Sequence, residues 1–282
     1  MNQSPILDVQ NLTVHYGGAP APSVQDVSFQ LGRERLGIVG ESGSGKSTVG
    51  RALMRLLPSA RVTADRMQFE DVDLLGASER KMLAVRGARM SMILQDPKFS
   101  LNPIRRCGDQ VAEAYRTHVR ASKAEARAKA IAMLDAVQIR EPERVYDLYP
   151  HEVSGGMGQR IMIAMMLLTS PDLVIADEPT SALDVTVRLQ VLKILDDLVR
   201  EQGIGLIMIS HDLNLVRNFC DRVLIMYAGR VVEALNAADL DKAQHPYTRG
   251  LLAAQPRIGG SRQPLPVLAR DPSWTQPQGA AL

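Results

Sequence analysis

Leu36-Gly37-Ile38-Val39-Gly40-Glu41-Ser42-Gly43-Ser44-Gly45-Lys46-Ser47-Thr48 runs from a short apolar segment into the pattern G-x-x-x-x-G-K-[ST] and opens a helical stretch reaching residue 57. The order strand, glycine-rich turn, helix is what a phosphate-binding loop requires. Glycines let successive backbone N–H groups turn inward around phosphate oxygens, and the helix N-terminus adds partial positive charge. The pattern therefore predicts that Gly40, Glu41, Ser42, Gly43, Ser44, Gly45, Lys46, Ser47 and Thr48 form a cradle for a nucleotide. In it the Lys46 ammonium reaches the β- and γ-phosphates and the Ser47 hydroxyl is a Mg²⁺ ligand.

A second element lies far along the chain. Leu173-Val-Ile-Ala-Asp177-Glu178-Pro179 is an apolar run ending in two acids. Acids at the carboxyl end of a buried strand sit where α/β sheets bind ligands, the same edge that suits the phosphate loop. Asp177 is expected in the Mg²⁺ shell. Glu178 is expected to face the water that attacks the γ-phosphate, as general base or as orienter of that water.

Further β-branched runs at residues 91–94, 206–209 and 223–226 alternate with helical stretches such as 187–202, which predicts an α/β fold with a mainly parallel buried sheet. Residues 6–16 and 24–31 alternate as antiparallel strands do, so a small β layer is expected ahead of the main sheet. From residue 97 to about 160 the pattern turns helical, at 112–119 and in the alanine-rich 123–137, and reads as an inserted lobe. The last 27 residues, from Pro256, contain five prolines and read as a loosely attached tail, in which Trp274 could dock on another surface but a disordered terminus is the stronger expectation.

Composition bounds the partners. The 282 residues allow one large domain with an appendage, at a prior of roughly 100–200 residues per domain. With 33 Lys+Arg against 31 Asp+Glu the net charge is +2, which supports no nucleic-acid footprint. Two cysteines, Cys107 and Cys220, make no disulfide framework and suit a reducing compartment. The N-terminus lacks the features of a secretory signal. The longest strongly apolar run, residues 161–168, is far below the roughly 20 residues of a membrane span, so membrane association is expected through a partner.

With Val153-Ser154-Gly155-Gly156-Met157-Gly158-Gln159-Arg160 added to the two motifs, the chain resembles the ATP-binding cassette (ABC) ATPases over roughly residues 5–255. The resemblance implies a RecA-like P-loop NTPase core with an N-terminal antiparallel β layer and an inserted helical subdomain, binding ATP and Mg²⁺. It makes Ser154, Gly155 and Gly156 the signature that caps the γ-phosphate of an opposite cassette, and Ser154 suits a helix N-cap with the glycines open to an anion. It makes Gln95 a sensor of Mg²⁺ and γ-phosphate, His211 the switch histidine, Tyr16, 24 residues before Gly40, the ring on which adenine stacks, and Ser181-Ala-Leu-Asp184 the D-loop.

Leu101-Asn-Pro103, Ala182-Leu-Asp-Val-Thr186 and His245-Pro246-Tyr247-Thr248 are similar to the peptide and nickel importer branch. That likeness implies an ATPase subunit energising dipeptide or oligopeptide uptake, with nickel or another small solute as the alternative. The implied partners are a second ABC ATPase subunit, identical or different, two transmembrane permease subunits and a periplasmic or lipid-anchored solute-binding protein. The implied place is the cytoplasmic face of the inner membrane, as a peripheral subunit. No cysteine follows Cys220, so the iron–sulfur segment of some relatives is not expected, and Gly158 inside the signature helix predicts a soft helix start, since mid-helix glycine costs about 1 kcal/mol. A soluble DNA-repair cassette would separate Gln95 from Ser154 by a long coiled coil, whereas only 58 residues intervene. A P-loop kinase would lack the signature.

Overall fold

The structure is a computed structural model describing residues 4–95, 100–180, 183–255 and 271–275. The chain divides into two units, Met1–Leu75 with Met208–Leu282 and Gly76–Ile207.

In the first unit, β1 (Leu7–Tyr16) and β2 (Val24–Leu31) pair antiparallel, as their alternation predicts. Asn11, at φ 53°, and Asp26, at φ 51°, take the left-handed conformation that their short polar side chains tolerate, and the β1–β2 register shifts around Asn11. Three short strands absent from the sequence reading complete this sheet: β4 (Ala60–Thr63) and β5 (Arg66–Phe69) pair with β1, and β6 (Val72–Asp73) pairs with β5. Leu7, Val9, Leu12, Val14, Met67 and Phe69 form its buried face.

The apolar segment before the glycine-rich loop is β3 (Arg35–Val39), which pairs in parallel with β10 (Arg222–Tyr227). β11 (Arg230–Asn236) returns antiparallel to β10 through a tight turn at Ala228 and Gly229. The helix after the loop, α1 (Lys46–Leu53), stops four residues short of the expected residue 57. Arg55 turns left-handed at φ 51°, and the Leu56 N–H closes back on the Arg51 carbonyl at 2.8 Å, a helix-ending geometry that precedes Pro58. Helices α8 (Leu213–Phe219) and α9 (Pro246–Ala253) complete this unit, with the described part of the tail a single 3₁₀ turn, Pro272–Thr275.

In the second unit, β7 (Met90–Ile93) and β8 (Leu173–Asp177) run parallel and are buried on both faces, which is why they read as continuous apolar runs. The division between units falls in sequence within β9 (Gly205–Ser210). Short α2 (Glu79–Val85) precedes β7, and the helical stretch contains α3 (Cys107–His118), α4 (Lys123–Ala136), α5 (Pro142–Tyr146) and α6 (Gly155–Leu167). Ser122 and Glu125 form a reciprocal capping box at the start of α4, which then buries Ala126, Ala130 and Leu134, one stripe at i, i+4, i+8. α7 (Val185–Gln202) begins two residues before the expected start, because the Asp184 carboxylate accepts from the N–H groups of Thr186 and Val187, and ends at left-handed Gly203.

α3 and α5 meet so closely that a Cβ at Gly108 would lie 2.0 Å from the Tyr146 ring, on whose face the Arg127 guanidinium rests 4.0 Å from the centroid. Gly108→Ala is therefore expected to cost about 1–3 kcal/mol through overpacking, read as a lowered thermal unfolding midpoint. Burial pushes the Cys107 thiol up to about 11 and the Cys220 thiol up to about 12. Both are protonated at neutral pH, so the native chain should resist alkylation while the denatured chain takes up two equivalents, which mass spectrometry checks.

Candidate functional site

The loop between β3 and α1 is shaped from three directions, all within the first unit. A Cβ at Gly40 would meet the Met226 carbonyl oxygen at 2.2 Å, so the loop leaves its strand pressed against β10. Gly45 sits at φ 99°, where a Cβ would also meet the Ser23 carbonyl oxygen at 2.6 Å. Glycine is demanded there both by conformation and by space. The Gly229 N–H donates to the Ser44 carbonyl at 3.1 Å, tying the loop to the β10–β11 turn, and the Glu41 N–H donates to the Tyr247 hydroxyl at 3.0 Å.

Lys46 is 6% exposed, and its Nζ donates to the carbonyls of Gly40 and Glu41 at 2.8 and 2.7 Å. The ammonium is thus folded over the loop it belongs to. Gly45, the N-cap of α1, supplies no side-chain cap and no acid occupies the first turn, so the partial positive charge of the helix start favours an anion there. Beside Glu41, Ser42, Gly43 and Ser44 lies a cavity of about 130 Å³, closed on its other side by Tyr227 and Ala228. This is smaller than the roughly 300–1,000 Å³ of whole small-molecule pockets and suits one group of a larger ligand. Tyr16 ends β1 half-buried, and His211 follows β9 exposed, just ahead of Asp212, the N-cap of α8.

In the second unit, Asp177 closes β8 and is 3% exposed, while Glu178 follows half-buried at φ 47°. Left-handed backbone at a residue other than Gly, Asn or Asp is uncommon and carries strain of order 1–3 kcal/mol, which clusters at functional sites. Gln95, two residues beyond β7, donates from Nε2 to the Glu178 carboxylate at 3.2 Å, so two of the expected site residues, 83 positions apart, are in direct contact. Ser154 caps α6, its Oγ accepting from the Met157 N–H at 3.3 Å. The helix runs unbroken through buried Gly158, whose N–H bonds the Ser154 carbonyl at 2.9 Å, so the expected soft start is not what the backbone adopts. A Cβ at Gly156 would touch Val187 at 3.2 Å, whereas one at Gly155 would meet no atom of the described residues within 4 Å. Ser181 and Ala182 of the expected D-loop lie outside the described residues.

Tyr16, the loop and His211 therefore belong to the first unit, and Gln95, the Ser154-Gly-Gly turn, Asp177 and Glu178 to the second. Two participants escape a reading of the sequence. Gln159 is 2% exposed and donates to the Pro179 carbonyl at 2.9 Å, fastening α6 to the turn that follows Glu178. A glutamine amid the apolar residues of a buried helix is the available signal. Tyr247 stands out in the sequence only as part of a motif, without a function.

Residues 24–181 match the family model described as ABC transporter. The chain is 47% identical over 270 residues to a probable peptide ABC transporter ATP-binding protein, y4tR, of Sinorhizobium fredii, covering 93% of this chain and 81% of the relative. It is 46% identical over 270 residues to the probable D,D-dipeptide transport ATP-binding protein DdpD of Escherichia coli, covering 94% and 82%. Among solved structures, the dimeric bacterial ABC transporter cassette MJ0796 superposes with a TM-score of 0.74 at 25% identity, over 82% of this chain and 98% of that one. Sequence and fold agree: the chain belongs to the ABC transporter family and is one of its ATP-binding, ATP-hydrolysing subunits.

Proposed function

We propose that this chain is the motor subunit of an importer for dipeptides or oligopeptides, working as one of a pair of cassettes on two permease subunits supplied by a solute-binding protein. The observation that carries the chemistry is Lys46, held by the Gly40 and Glu41 carbonyls of a glycine-shaped turn that opens α1. A cation resting on carbonyls can exchange them for phosphate oxygens, to which it binds more strongly.

The residues present fit MgATP. The loop amides would take the phosphates, Lys46 the β- and γ-oxygens, and Tyr16 would stack on adenine. Ser47 of the first unit, and Asp177 and Gln95 of the second, would each be a hard oxygen donor of the kind Mg²⁺ uses when phosphates complete its shell. Mg²⁺, when bound, neutralises charge developing on the transferred phosphoryl group. Glu178 would accept a proton from the attacking water or orient it, its carboxylate steadied by Gln95. His211 would bond the γ-phosphate.

The Ser154-Gly155-Gly156 turn would close over the partner cassette's nucleotide. Gly155 supports this, since among the described residues its missing side chain answers no packing need. The cassette would span residues 5–255, with the helical subdomain of about 97–160 passing its movement to the permeases and 256–282 forming a tail. Among the described residues no helix is long and apolar enough to cross a membrane, so attachment at the cytoplasmic face would run through those partners. The peptide assignment rests on the peptide and dipeptide names of relatives near 46% identity.

Lys46→Ala should weaken MgATP binding by at least about tenfold, the worth of charge-assisted hydrogen bonds, and unchanged calorimetric affinity would contradict its role. Glu178→Gln should keep ATP binding and cassette pairing while phosphate release falls by about 10²–10⁴-fold, the usual share of a general base. Turnover near wild type would remove Glu178 from the chemistry. Uptake of labelled dipeptide by cells carrying the whole transporter should disappear with the same substitution. Loss of Ni²⁺ uptake instead would reassign the solute.

A further inference from the structure

His245-Pro246-Tyr247-Thr248 has no part in the chemistry proposed for the site, yet Tyr247 heads the large side chains withdrawn wholly from solvent. Its hydroxyl accepts from the Glu41 N–H at 3.0 Å. That N–H and the Gly40 carbonyl belong to one peptide unit, and the carbonyl accepts from Lys46 Nζ at 2.8 Å. A single peptide plane at the mouth of the loop is therefore gripped at both ends, by Tyr247 on one side and by the nucleotide-seeking lysine on the other.

The two grips differ in permanence. Lys46 must redirect its ammonium to meet a phosphate, and the Gly40 carbonyl then loses that donor. The Tyr247 bond is made at the other end of that peptide unit, so it can hold the plane while the lysine moves. The hydroxyl has a fixed seat. His245 Nδ1 accepts from the Tyr247 N–H at 3.2 Å as α9 begins, and the Tyr227 ring packs on Tyr247 at 4.5 Å between centroids. Trp274 closes this cluster from the C-terminal segment, 6.0 Å from Tyr247, 5.7 Å edge-on to Tyr227 and 6.5 Å from His245. A segment expected to be loosely attached thus carries a ring seated on the support of the loop. Tyr227 itself lines the cavity beside residues 41–44.

We propose that Tyr247 is a positioning residue of the phosphate loop, with Trp274 clamping its ring, so that the C-terminal segment sets nucleotide affinity. This rests on the loop being the nucleotide site. A side chain lacking the hydroxyl would leave the Glu41 N–H without this acceptor, and the peptide plane would be free to turn once Lys46 departs.

The test is MgADP binding to the full chain by calorimetry, together with the thermal midpoint of the nucleotide-free protein. Tyr247→Phe should raise Kd about three- to tenfold, and Trp274→Ala at least about twofold. The double variant should be no weaker than Tyr247→Phe alone, because the tryptophan acts through the hydroxyl. Val72→Ala, a core truncation in the antiparallel sheet, should lower the midpoint and leave Kd unchanged.

A Kd for Tyr247→Phe within twofold of wild type would overturn the proposal. So would an equal rise in Val72→Ala at the same loss of midpoint, since that marks general loosening. Wild-type affinity in Trp274→Ala beside a shifted Tyr247→Phe would remove the clamp and leave the tyrosine. Weakening by Lys46→Ala without weakening by Tyr247→Phe would sink only this inference, whereas a wild-type chain that takes up no MgADP would sink the nucleotide reading along with it.

Discussion

N–H groups that gather around one point cannot bond one another, so a phosphate-loop turn has few bonds of its own, here the Ser44 N–H on the Glu41 carbonyl at 3.2 Å and the Lys46 ammonium on two carbonyls. Its shape has to come from what surrounds it. Here the surroundings are close contacts that tolerate no side chain: Gly40 against the Met226 carbonyl and Gly45 against the Ser23 carbonyl. Around these, the first unit supplies a parallel pair, β3 and β10, that fixes where the loop starts, and a β10–β11 turn whose Gly229 N–H holds the Ser44 carbonyl. The Gln25 N–H in turn donates to the Gly229 carbonyl, so one reverse turn links the loop to the antiparallel sheet. The sheet thereby bears on loop geometry although it contributes few of the expected ligand contacts.

The second unit solves a different problem, that of keeping a carboxylate both buried and usable. Asp177 ends a strand with no exposed residue, where a charge without partners would be costly, and it has interactions beyond those described above. Glu178 departs from strand geometry at once, and its left-handed backbone turns the chain so that its carboxylate meets Gln95. That conformation needs external support. Gln159 provides some by bonding the Pro179 carbonyl from within α6, which makes the signature helix a buttress of the acidic turn as well as a surface element.

What can be read in advance follows from how local each cause is. Strands β3, β8, β9 and β10 announce themselves because burial on both faces writes an unbroken apolar run, and the loop because its glycines answer a demand made at those positions. The Ser154 cap is equally local. The end of α1 is hidden since Arg55 carries no sign that it will turn left-handed, and α7 begins earlier than expected because Asp184, legible as part of a loop motif, also serves as a helix cap. β4, β5 and β6 are two to four residues long and mix charge with apolar residues, so their existence depends on pairing, of β4 and β5 with β1 and of β6 with β5, and on nothing within themselves. Tyr247, 206 residues from its partner Glu41, stands outside any local signal, although its motif is conspicuous.

The last of these has a general physical cause. A glycine-rich turn supplies conformational freedom, and freedom must be removed elsewhere if the amides are to be ready when phosphate arrives. Hydrogen bonds to the turn's outward-facing groups do this without obstructing the inner face, and the donor or acceptor can come from any part of the chain that reaches the rear of the loop. Lys46 bonds the Gly40 and Glu41 carbonyls, but in the proposed function it would leave them for phosphate. A phenol on a rigid ring is well suited, because it accepts from a backbone N–H, brings little conformational entropy of its own and is fixed by packing with other aromatics. With the Tyr227 and Trp274 rings packed around it, Tyr247 is held in place, and the rest of the loop can then remain as pliant as its glycines allow.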